Sequence, residues 1–175
     1  MKLKKMMKNF VFILLGIAVS TLISTHFVKD KSVYGYIEPV TLLPDAIPVM
    51  AKLDTGAVTA SISAKDIHIY KKNDKEYVKF EVSHPDIQQA PVYNLPVVGF
   101  SKIKNRASEG TMEEGELESY DLRPIVKMSI YFDGEPHNVK VNLIDRSHFS
   151  TPMLLGRKIL EKLNVVVDGA IENSI

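Results

Sequence analysis

The chain has 175 residues, a formal net charge of +1 and no cysteine. That length suits one domain with an appendage. The near-neutral charge gives no electrostatic footprint for a nucleic-acid partner. The missing cysteines exclude disulfides, thiol nucleophiles and Cys-ligated zinc.

The appendage is N-terminal. Lys2, Lys4, Lys5 and Lys8 precede an apolar run from Phe10 to Val28, broken only by small or hydroxyl residues and His26. This pattern reads as either a secretory signal or a single membrane anchor over residues 1–28. The lysine cluster holds its own end in the cytoplasm and sends the remainder across, so the expected location is the inner membrane facing the periplasm, or the periplasm itself after cleavage. Ala18 and Ser20 offer a cleavage site, but the apolar character continues past them and favours an uncleaved anchor. Residues 29–33 read as a polar linker and 34–175 as the folded domain.

Within that domain, residues 35–42 and 47–53 are strand candidates joined by a turn at Leu43-Pro44-Asp45. Residues 59–64 alternate small polar and apolar side chains, as a half-buried strand does. Ile67–Tyr70 and Tyr77–Val82 read as a hairpin around a charged loop. His84–Pro96 has no clear period. Ser101–Asp121 is polar and places Gly110 and Gly115 among acids, the composition of a functional flap or a solvated loop. Ile125–Phe132 and His137–Ile144 flank Asp133-Gly134, the strongest hairpin signal in the chain. Met153–Gly156 is a short apolar run, Arg157–Leu163 the one convincing helix of this part, and Val165–Asp168 a last strand. The reading is therefore an all-β domain with one short C-terminal helix.

The candidate chemistry sits at Asp54-Thr55-Gly56-Ala57, where the second strand ends. A strand delivers Asp54 to a fixed point, Thr55 can lock the turn by hydrogen bonding, and Gly56 lets the backbone turn where a Cβ would clash. An acid held in this way is placed rigidly, as catalysis requires. Far downstream, Leu154-Leu155-Gly156-Arg157 immediately precedes the helix.

This pairing of motifs resembles the retropepsin-like aspartic peptidases. It is most similar to their bacterial branch, often labelled ATP-dependent zinc proteases, which includes a peptidase that trims polyglutamate tails from a ribosomal protein. The resemblance runs through residues 35–44, 51–64, 123–126 and 143–157. It implies a retropepsin-like half-barrel in which Leu154 and Leu155 thread beside the catalytic loop and a hairpin bearing Gly110 and Gly115 covers the substrate. Val58 stands where the family usually has Arg, and Ser63 where a His is expected. In retroviral members the arginine matching Arg157 pairs with an acid just after the catalytic turn. Val58 occupies that place here, so Arg157 either pairs with Asp145 or Asp168 or stands as a solvated residue in the first turn of the helix. Asp145-Arg146-Ser147 reads as a local ion pair and turn in a supporting role.

No cofactor is expected. The five histidines (His26, His68, His84, His137 and His148) are scattered, no His-Glu-x-x-His pattern provides a metal site, and no glycine-rich loop suits ATP. One Asp-Thr-Gly is half of an aspartic dyad, so the resemblance implies a homodimer in which each chain supplies Asp54. The expected activity is endopeptidase cleavage of a peptide or protein substrate. The alternative is a non-catalytic periplasmic binding or regulatory module that keeps the fold.

Overall fold

The computed structural model describes residues 31–104 and 120–175, and its folded body runs from Ser32 to Ile175. The expected N-terminal signal or anchor, and the flap glycines Gly110 and Gly115, lie outside the described residues. Among the described residues, no helix is long and apolar enough to cross a membrane.

The elements in order are β1 (Ser32–Tyr34), β2 (Ile37–Leu43), β3 (Ile47–Asp54), β4 (Ala60–Lys72), β5 (Lys75–Val82), β6 (Val92–Lys104), β7 (Tyr120–Phe132), β8 (Glu135–Ile144), β9 (Met153–Gly156), α1 (Arg157–Leu163) and β10 (Val165–Val167). The all-β expectation with one short helix holds for this body. Six strands close on themselves in the order β2–β3–β9–β4–β8–β7, because β7 pairs back onto β2 and β4 pairs with β8. Closure removes sheet edges and encloses the core. Along β7 the period-2 pattern aims Val126, Met128, Ile130 and Phe132 inward. They meet Leu42, Ile62, Leu143, Met153 and Leu155, each 1% exposed or less. Burying each such side chain contributes roughly 1.5–3 kcal/mol before entropy is counted.

Long strands serve two neighbours in turn. The Ala60–Ser63 end of β4 pairs with β8, and from Ala64 onward it runs antiparallel to β5, with a bulge between Lys65 and His68. Two separate strands were expected here. The bulge, with Asp66 at φ 52°, interrupts the alternation but not the strand. β6 corrects the irregular reading of 84–96. Pro96 and Gly99 hide its period, yet Val92–Pro96 completes a ladder on β5 and Val97–Lys104 completes one on β7. The register shift between Val97 and Gly99 marks the change of partner. Part of the expected polar loop is also strand, since Ser101 pairs with Arg123 and Ile103 with Asp121. The Asp133-Gly134 turn forms as expected, with both residues at positive φ (48° and 78°), and joins β7 to β8.

Ser32 and Val33, expected as linker, form β1 parallel to β10. The C-terminal residues then cross the chain at the start of β2. The amides of Gly35, Ser174 and Ile175 all donate to the carboxylate of Glu38, which is fully buried, at 2.6, 2.9 and 3.2 Å.

Candidate active site

β3 buries Val49, Ala51 and Leu53 on alternate positions and leaves Asp54 half-buried at its end. β9 is inserted beside it. It runs parallel to β3, with Asp54 opposite Gly156 and Leu53 opposite Leu155, and antiparallel to β4, with Leu154 opposite Ser61. A four-residue strand survives here because both of its edges are paired and Met153 and Leu155 are fully buried.

The turn after Asp54 is tied at nearly every residue. Asp54 Oδ1 accepts from the amides of Gly56 (2.8 Å) and Ala57 (3.2 Å). The amides of Arg157 and Lys158 donate to the carbonyls of Ala57 (2.9 Å) and Val58 (3.3 Å). α1 has no side-chain N-cap, so the turn itself satisfies the helix's first free amides. Asn142 Nδ2 donates to Ala60 O (2.7 Å) and Thr59 Oγ1 (3.3 Å). A Cβ on Gly156 would come within 2.5 Å of Thr59 O, so only glycine permits this close crossing.

Two expected details are corrected. The Thr55 side chain is exposed and has no hydrogen bond among the described residues; the carboxylate of Asp54 locks the turn instead. An added Cβ on Gly56 would lie 3.1 Å from Asp54 Oδ1, a tight contact with a side chain rather than the expected clash in the turn. Asp54 Oδ2 carries no hydrogen bond among the described residues, which leaves one oxygen fixed and the other free for chemistry.

The arginines exchange roles relative to expectation. Arg157 is exposed and forms no ion pair with Asp145 or Asp168; its contribution to the site is its main-chain amide. Asp168 instead caps its own turn through Ala170 N (2.9 Å). Asp145 makes the expected turn by accepting from Ser147 N (2.8 Å), but does not pair with Arg146. Arg146 is 6% exposed. Its Nε donates to Thr151 O (3.3 Å), one terminal nitrogen donates to Ser61 Oγ (3.2 Å), and its amide donates to Ser63 Oγ (2.9 Å). Phe149 stacks on the guanidinium, with Cζ 4.4 Å from the ring centroid, and His84 Nε2 lies 3.0 Å from Phe149 O. Burial lowers the Arg146 pKa, while the negative charge of Asp54 acts in the opposite direction. In the sequence the adjacent Asp145 suggests a local pair, which hides the inward role of Arg146. Asn142 sits on the outward face of an otherwise ordinary alternation, so the sequence carries no signal of its contacts with Thr59 and Ala60. Among the described residues, no group of three or more His, Asp or Glu is gathered as a metal site.

An acid at a strand end, fixed by its own turn and threaded by a glycine-ended strand before a helix, is the arrangement of a retropepsin-like fold. The match to a family model over residues 33–174 places the particular relationship: the chain belongs to the RimB-like family, described as retropepsin-like aspartic endopeptidase RimB. Two curated relatives carry the name "Probable alpha-L-glutamate ligase". The one from Desulfotalea psychrophila is 27% identical over 81% of this chain. The one from Shewanella halifaxensis is 30% identical over 67% of it. The matched segments cover 29% and 24% of those proteins, so this chain spans under a third of their length. A crystal structure of the Legionella pneumophila protein Lpg0085, of unknown function, is 29% identical, with a TM-score of 0.66 over 83% of this chain and 98% of that one.

Proposed function

We propose that this protein is an aspartic endopeptidase whose dyad forms from two copies of Asp54 across a homodimer. The observation that carries the reading is the Asp54 turn, with Oδ1 held by two amides and Oδ2 without a hydrogen bond among the described residues. Two such carboxyls facing each other share one proton. The ionised carboxyl takes a proton from water as that water attacks the scissile carbonyl, and the protonated one donates to the carbonyl oxygen. Collapse of the tetrahedral intermediate then breaks the C–N bond: the amine leaves with the proton that the first carboxyl took from water, and a gem-diol hydroxyl returns its proton to the other carboxylate. Thr55, exposed beside the acid, braces the two turns against each other, and the main chain at Gly56 leaves room for substrate backbone. The ligase name belongs to relatives more than three times as long as the segment shared here, and the family description supports hydrolysis. The lysine-rich N-terminus and its apolar run favour a membrane-associated enzyme acting on the periplasmic side.

Full-length chain and its Asp54→Asn variant, compared on a mixed peptide library with cleavage read by mass spectrometry, test the reading. Asn removes both dyad carboxyls of the dimer, so cleavage should vanish while the circular dichroism spectrum is kept. Mixed dimers of wild-type and Asn chains should also be inactive. Loss only in proportion to the wild-type fraction would show that each chain works alone. Unchanged cleavage by Asp54→Asn would remove this assignment, and no cleavage by either protein would support a binding module.

A further inference from the structure

On the outer face of β7 and β8, beside α1, lies a cavity of about 480 Å³. Ala60, Ile125 and Ile159 give it an apolar floor. Lys127 comes from β7, Lys140 from β8, and Lys158 and Lys162 from α1. No acid lines it among the described residues, and none of these four ammonium groups has an ion-pair partner there. Lys162 donates instead to Asn138 O at 2.7 Å. Lys127 and Lys140 are direct cross-strand partners. Like charges placed directly opposite destabilise a sheet, so this arrangement costs the free protein stability.

We infer that this cavity binds a small amphipathic anion: a compact apolar body on the Ile125–Ile159 floor, with a phosphate-, sulfonate- or carboxylate-type group among Lys127, Lys140 and Lys158. The volume falls within the roughly 300–1,000 Å³ of small-molecule sites. The lysines stand on three elements around one space rather than along a line, which suits a compact ligand over an extended chain. An anion here relieves the Lys127–Lys140 repulsion and gains charge-assisted hydrogen bonds over an apolar base. The site is separate from the Asp54 carboxylate but shares a wall with the catalytic turn, since Thr59 lines the cavity and Lys158 N holds Val58 O. The inference goes beyond the peptidase proposal and does not depend on it.

The test is titration of the full-length protein with 1-naphthyl phosphate, followed by calorimetry and by amide NMR shifts. Inorganic phosphate and 1-naphthol serve as the anion-only and apolar-only arms. One site should appear, with shifts at Thr59, Asn142, Lys158 and Ile159. The Kd should rise at least about tenfold in Lys127→Gln/Lys140→Gln and in about 0.5 M salt, and both partial probes should bind at least about tenfold more weakly. Lys158→Gln, on the helix rather than the sheet, should weaken binding independently. Equal binding by the lysine variants, equal binding by either partial probe, or tighter binding by an Asp-rich hexapeptide would each overturn the assignment. None of these readouts requires peptidase activity, so their failure is distinguishable from failure of the dyad.

Discussion

Arg146 and the four lysines of the β7–β8 cavity carry the same sign of charge, and the fold treats them in opposite ways. Arg146 is buried, and neutral oxygens of Thr151 and Ser61 hold it within range of the Asp54 charge. Its hydrogen bonds are already made, so its task is internal: to hold the 146–151 loop against β4. The lysines stand exposed around an open volume, two of them directly opposed, with no acid supplied by the lining residues. A buried cation must be satisfied by the fold itself. An exposed cluster leaves that role to something arriving from solution.

The largest expected effect comes from the residue that joins the two regions. Gly156 lies opposite Asp54 and starts the helix that carries Lys158 and Lys162. Gly156→Ala drives a Cβ into Thr59 and should cost about 3 kcal/mol in denaturant unfolding. It should also perturb amide NMR shifts at both the Asp54 turn and the cavity. Perturbation at one region alone would break the link between them.

Next is Arg146→Met, which keeps much of the volume but leaves Thr151 O and Ser61 Oγ without their charged donor. A loss of about 2 kcal/mol is expected by chemical denaturation. Arg146→Lys should recover part of it, being charged but unable to span both acceptors. A neutral outcome for Arg146→Met would place Arg146 with the lysines as a dispensable surface cation.

Lys127→Gln should have the reverse sign. Removing one of two opposed charges should stabilise the free protein by about 0.5 kcal/mol at low salt, and the gain should fade at high salt. Destabilisation would show that Lys127 has a structural partner and would weaken the contrast with Arg146.

The smallest effect concerns Asp145, next to Arg146 but turned outward. Hydrogen bonds from the Ser147 amide and then its hydroxyl hold its carboxyl below the usual range. A depressed carboxylate stabilises the fold above its unfolded pKa of roughly 4, and that stability is lost as pH falls through its lower folded value. Asp145→Asn should therefore lower the thermal midpoint slightly at pH 7, and the gap should close as the pH drops below 4. A gap that widens toward acid would reverse the assigned sign.

The sequence by itself determined the parts governed by local rules. The period-2 runs of β2, β3, β7 and β8, the Asp133-Gly134 turn and the helix at Arg157 depend on side-chain alternation and turn chemistry within a few residues. The Asp-Thr-Gly-Ala and Leu-Leu-Gly-Arg motifs marked both halves of the crossing now seen as Asp54 opposite Gly156. What only the tertiary structure decided lies where distant segments satisfy one another. β6 is a strand because β5 and β7 complete its ladders despite Pro96 and Gly99. Arg146 turns inward because Ser61, on the distant β4, and Thr151, at the end of its own loop, accept hydrogen bonds from it. The lysine cavity exists because β7, β8 and α1 converge there, whereas along the chain the same residues read as ordinary solvated charges. Local sequence encodes conformation, but hydrogen-bond satisfaction and charge balance are settled only once residues far apart in the chain are brought together.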